Sequence, residues 1–196
     1  MKLKYVAFIK DLSRKDLLLV GGKAANLGEM MRAHLPVPEA FVVTTNAFKK
    51  FIEDSGHEEE IVRIIENVDV DNATSLQIAS EKIRTLIEKK MVPSELVEEI
   101  VKAYKHLSQE CGEDAIYVAV RSSATVEDAP NASFAGLHST LLNVKGVDNL
   151  LKSIKICWAS LFTPRAIFYR LQRGLKHEKS SMAVICLLYT SPSPRD

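Results

Sequence analysis

Two stretches of this sequence combine residue types that can hold an anion. The first is VGGKAANLGEM, residues 20–30. Its paired glycines, Gly21 and Gly22, permit a tight turn and a close approach of backbone to ligand. The helix-forming sequence that follows offers unpaired N–H groups and the positive end of a helix dipole. Lys23 at that mouth is the residue type to contact a phosphate. The stretch is not a P-loop, which needs a hydroxyl residue after its lysine. Here Ala24 follows Lys23. Taken alone, Gly-Gly before a helix also reads as an ordinary turn.

The second stretch is RSSATVEDAPNASFAGLHST, residues 121–140. Arg121 closes the apolar run IYVAV, where a charged side chain is costly to bury without a partner. Its always-charged guanidinium fork suits phosphate oxygens. Ser122, Ser123, Thr125, Ser133, Ser139 and Thr140 add a density of small hydroxyls, and the small residues of SFAG, ending at Gly136, let backbone approach a ligand. Glu127 and Asp128 either pair with Arg121 or face a metal. The same composition also fits a solvated loop. The case for a site rests on the pair of stretches, which together would clamp a polyphosphate from two sides.

These stretches need elements to position them. YVAFI near the N-terminus reads as a short strand, and a second apolar run, Leu17–Val20, precedes the glycines. A helix is expected after the glycines, with Ala24, Leu27, Met30 and Met31 on its inward side, ended by Pro36 and Pro38. FVVTT, residues 41–45, reads as a buried strand, and Thr45 or Asn46 as the cap of a helix that ends at Gly56. Residues 58–110 read as three amphipathic helices of scaffolding character, with Ile61, Ile64 and Ile65 inward on the first, Leu76, Ala79, Ile83, Leu86 and Ile87 on the second, and Leu96, Val97, Ile100, Val101, Tyr104 and Leu107 on the third. Ile116–Val120 and Met182–Cys186 read as strands, with helices over Val147–Phe162 and Pro164–Arg173 between them. The mixture of strands and helices indicates an α/β or α+β architecture.

At 196 residues and 46% hydrophobic, the chain can bury a substantial core. Its net charge of +1 gives no general attraction to nucleic acid or to an acidic membrane, and no apolar run approaches the length of a membrane span. Three cysteines, Cys111, Cys157 and Cys186, lack metal-ligand spacing and read as reduced thiols of a cytoplasmic protein.

In order and spacing, VGGKAANLGEM, VPEAFVVTTNAF, VAVRSSATVEDAPNASFAGLHSTLLNV and CWASLFTPRAIFYR resemble the N-terminal ATP-binding domain of the phosphoenolpyruvate synthase and pyruvate phosphate dikinase family, which the rifampicin phosphotransferases share. The resemblance runs from about residue 4 to about residue 185. It implies an α+β, ATP-grasp-like first lobe over residues 1–185, with a helical insert at about 58–110. It implies ATP as ligand and Mg2+ as cofactor, with the metal ligands outside this chain. By the same resemblance Lys23, Arg121, Gly136 and Thr140 contact the nucleotide, and Arg121 serves the reaction as well. Phosphate would pass from ATP to a histidine on a separate domain and then to an acceptor. The implied partners are therefore downstream phosphohistidine and substrate domains of the same enzyme.

The chain departs from the family pattern in two places. Leu187 stands where the family has a glutamine that contacts nucleotide, and the sequence ends at Asp196, where a second lobe is expected to follow. The Ser/Pro-rich residues 186–196 read as a disordered or non-native tail. His34, His57, His106, His138 and His177 all lie outside a phosphohistidine context. Three other readings stay open: an antibiotic-phosphorylating relative, a module that holds nucleotide without turnover, and a helical interaction protein built on residues 58–110.

Overall fold

The computed structural model describes residues 5–125, 139–174 and 180–189. Gly136, His138 and His177 therefore lie outside the described residues, as do Glu127 and Asp128. Five strands, β1 (Val6–Phe8), β2 (Ala40–Val43), β3 (Tyr117–Ala124), β4 (Thr140–Lys145) and β5 (Met182–Leu188), form one sheet in the order β1-β2-β5-β3-β4. Every pairing in it is antiparallel. With an antiparallel sheet and its helices in separate runs, the protein is α+β.

The helices lie on both faces of the sheet, unequally. α1 (Leu17–Arg32) covers one face, and a small cluster forms beneath it from Ala7, Val42, Ala183 and Ile185 with Val20, Ala24 and Ala25 of the helix. The other face carries the main core under α2 (Thr45–Ser55), α3 (Glu58–Glu66), α4 (Ala73–Lys89), α5 (Ser94–Glu110), α6 (Val147–Ala159) and α7 (Pro164–Gln172). Trp158 of α6 is fully buried there, with its ring centroid 4.8 Å from that of Phe51 and 6.0 Å from that of Phe48. α3, α4 and α5 feed Ile61, Ile65, Leu76, Ile83, Leu96, Ile100 and Leu107 into this same core. The helical middle of the sequence is thus part of the sheet's own packing.

Several boundaries differ from the sequence expectation. The helix does not start after the glycines: Leu17–Val20 is already its first turn, and α1 resumes beyond a kink at Gly21. Nor do the prolines end it. α1 stops at Arg32, where the Ala33 N–H bonds back to Glu29 and His34 turns to φ +57°. Its inward stripe is made of Ala24, Ala25 and Gly28, with Leu27 and Met31 half-buried against the same cluster, whereas Met30 is 41% exposed. Small residues there bring the helix axis close to the sheet, and the bulky ones fall at the rim. α2 begins one residue earlier than the capping pattern indicates, after Thr44, and Gly56 ends it at φ +69° as expected. β4 has no counterpart in the sequence reading, and β3 runs four residues past Val120. β5 continues to Leu188, so the first residues of the expected tail belong to the sheet.

Candidate phosphate-binding site

The site is built where α1 meets β3. At Gly21 the backbone takes φ +72°, ψ +167°, a combination that L side chains avoid, and the helix restarts at Gly22. A Cβ added at Gly21 would stand 2.4 Å from the carbonyl oxygen of Ser123 and 2.5 Å from its Oγ. The kink therefore seats the new helix mouth directly on β3. The Ala24 N–H, one of the donors orphaned at the restart, donates to Ser123 Oγ at 3.3 Å. Half-buried Lys23 donates from Nζ to the Ser122 carbonyl at 3.1 Å.

That contact places the Lys23 ammonium beside the residue that follows Arg121. Side chains alternate along a strand, so Arg121 and Ser123 share the face on which α1 sits. Arg121 is exposed, and no described carboxylate lies within ion-pairing distance of it. Across the β3–β4 pairing its register partner is Thr140, also exposed. Three of the four residues expected to contact nucleotide, Lys23, Arg121 and Thr140, are thus gathered at one corner of the sheet. The fourth, Gly136, lies outside the described residues.

Ser122 and Thr125 at the end of β3 bond to Ser139 and Ser181. The Ser139 N–H donates to Ser122 Oγ at 3.2 Å, while the Ser122 N–H donates to the Ser139 carbonyl at 3.1 Å. Thr125 donates to the Ser181 carbonyl from its N–H at 3.3 Å and from Oγ1 at 3.4 Å. The hydroxyls at residues 122 and 123 read from sequence as loop chemistry, yet both side chains are fully buried in β3. Leu187 pairs with Ala40 and Ala119 and packs half-buried against the small cluster. It sits on the Arg121 face and offers packing without a hydrogen-bonding group.

The corner is cationic. On the opposite face of β3, the Cys157 Sγ lies 4.0 Å from the Val120 and Ser139 carbonyls. Burial pushes that thiol up to about 12, with the Lys23 ammonium pulling the other way. Burial also drives the Cys186 thiol well above its ordinary value. Both thiols keep their protons when folded, and each would release one near pH 9 when unfolded. Their stabilising contribution is therefore complete below pH 9 and declines above it, approaching roughly tenfold in the folding constant per thiol per pH unit. Urea titrations at pH 9 and 10 should show that decline, and Cys157→Ala/Cys186→Ala should flatten it. A slope unchanged in the double variant would contradict the assignment.

A polyphosphate fits this donor set: an ammonium, a guanidinium fork, a threonine hydroxyl and a helix mouth occupy neighbouring positions of α1, β3 and β4, and no described carboxylate ion-pairs with Arg121. Among the described residues no group of three or more His, Cys, Asp or Glu side chains comes together as a metal site. Among the described residues no helix is long and apolar enough to cross a membrane.

The sequence pattern of the pyruvate phosphate dikinase AMP/ATP-binding domain matches residues 17–191. The chain is 50% identical over 183 residues to a probable phosphoenolpyruvate synthase of Methanocaldococcus jannaschii, covering 93% of this chain and 15% of that protein. It is 42% identical over 217 residues to the phosphoenolpyruvate synthase of Pyrococcus furiosus, covering 94% of this chain and 27% of that protein. The Helicobacter pylori phosphoenolpyruvate synthase is 45% identical over 186 residues, with 93% and 23% covered. The chain therefore spans about a quarter or less of the length of these relatives. An α+β fold with a cationic mouth on its sheet, matched along most of its length by one domain pattern, leads to a single assignment: the chain belongs to the pyruvate phosphate dikinase AMP/ATP-binding domain family.

Proposed function

We propose that this chain is the ATP-binding part of a phosphoenolpyruvate synthase, converting ATP, pyruvate and water to AMP, phosphoenolpyruvate and phosphate. The observation that carries the reading is the Lys23 ammonium held on the Ser122 carbonyl, one residue from exposed Arg121. Phosphoryl transfer asks little covalent chemistry of the protein and much positioning and charge stabilisation. Lys23, a single point charge with a defined seat, holds the polyphosphate at the helix mouth. Arg121 reaches it from the strand with a bidentate fork and stabilises charge that develops as the phosphoryl group leaves. Thr140 supplies a neutral hydroxyl opposite Arg121, and Gly136 lets backbone approach the phosphates.

In this reading the domain comprises residues 1–185 with the end of β5, and the phosphate passes to a histidine on another domain of a cytoplasmic enzyme. Incubation of the full-length enzyme with ATP and pyruvate tests it. Phosphoenolpyruvate and AMP should appear in equal amounts. Formation of ADP, or phosphorylation of rifampicin with pyruvate left untouched, would overturn the choice of reaction.

A further inference from the structure

We infer that the Ser123 hydroxyl is a positioning group for phosphate binding: it sets the helix mouth that presents Lys23. This role depends on the one proposed for Lys23 and adds a residue that touches no ligand itself. Serine commonly caps a helix from the position just before it, accepting an N–H of the first turn. At the restart of α1 that position is Gly21, which has no side chain to do so. Ser123, distant in sequence and fully buried on β3, supplies the missing acceptor to the Ala24 N–H. The cap is therefore delivered from another element.

Three contacts then lock one small volume. Gly21 has its missing Cβ against Ser123, Ala24 is bonded to Ser123 Oγ, and Lys23 between them is bonded to the carbonyl of Ser122. Moving the helix mouth along the strand by a fraction of an ångström breaks the first two and displaces the Lys23 ammonium. Because Lys23 and Arg121 reach the ligand from different elements, their relative placement depends on how firmly α1 is seated on β3. The Ser123 hydroxyl is a side-chain group of β3 that ties the first turn of the restarted helix to the strand.

The test is a double-mutant cycle on the full chain, read by equilibrium binding of ATP and of adenosine, which carries no phosphate. Ser123→Ala should weaken ATP about tenfold and change adenosine affinity less than twofold. In a Lys23→Ala background the same substitution should no longer affect ATP. A role confined to stability would lower affinity for both ligands alike and would add fully to Lys23→Ala. Ser123→Cys keeps the shape with a poorer acceptor; it should give an intermediate, equally ATP-selective loss, and it carries the test if the alanine variant does not fold. If Lys23→Ala weakens ATP and neither Ser123 variant does, the Ser123 role alone falls. If Lys23→Ala leaves ATP affinity unchanged, the reading of the site falls with it.

Discussion

Gly21→Ala is expected to destabilise the protein by about 4 kcal/mol, the sum of a strained backbone and an overpacked contact. The backbone at φ +72°, ψ +167° is open in practice only to glycine, and the added methyl would stand 2.4 Å from a carbonyl oxygen of β3. That oxygen belongs to the backbone, so no rotamer change relieves the clash. Either α1 lifts from the sheet or the kink straightens, and both displace Lys23. Gly56→Ala is the matched control: it too has a left-handed backbone, at φ +69°, but nothing lies within 4 Å of its Cβ position. Its cost should be about 1 kcal/mol. Pairing Gly21→Ala with Ser123→Gly should recover little, because the nearer obstacle remains. Urea unfolding of the three variants measures all of this. A Gly21→Ala loss no larger than that of Gly56→Ala would contradict the strain assigned to the kink.

The cationic residues of the site are legible in the sequence because residue type and chemistry coincide there. Lys23 after two glycines and Arg121 after an apolar run stand out whatever surrounds them. Their proximity is not legible, since it depends on α1 crossing a strand 99 residues further along the chain. Ser122 and Ser123 look like loop hydroxyls for a physical reason: serine has little preference for strands, and the apolar run stops at Arg121. Pairing with β5 through Ala124 carries the strand onward regardless. β4 is hidden because its sequence TLLNVK has no clean alternation. A shift in its pairing with β3 and a left-handed Asn143 at φ +57° break the pattern. As an edge strand it is also mostly exposed, so burial leaves little trace in its composition.

Legibility of the helices follows the length of their pattern. The three helices of residues 58–110 carry a sustained helical stripe, and most of the inward positions that periodicity picks out, among them Ile61, Ile65, Leu76, Ile83, Leu96, Ile100 and Leu107, are buried, whereas Ile64, Leu86, Val97 and Val101 are half-buried at its edges. The short run Leu17–Val20 carries too few residues for periodicity to decide anything, and its helical state follows from packing Val20 into the small cluster on the sheet.

Lys23→Ala carries the second large effect. A charge-assisted hydrogen bond contributes about 1.5–3 kcal/mol, so its loss should weaken a triphosphate roughly 10- to 150-fold. The fold should survive, because Lys23 is only half-buried and two of the three contacts that lock the helix mouth, the close approach at Gly21 and the Ala24–Ser123 bond, remain. Adenosine, which offers no phosphate to the ammonium, should bind the variant as it binds the parent. The most direct test is calorimetric titration of ATP and adenosine into the full chain and its Lys23→Ala variant, with a thermal melt of each. The expected result is a loss of ATP affinity of at least about tenfold, unchanged adenosine affinity and a melting temperature close to that of the parent. Equal ATP affinity in both proteins would show that the helix mouth on β3 does not hold the phosphates.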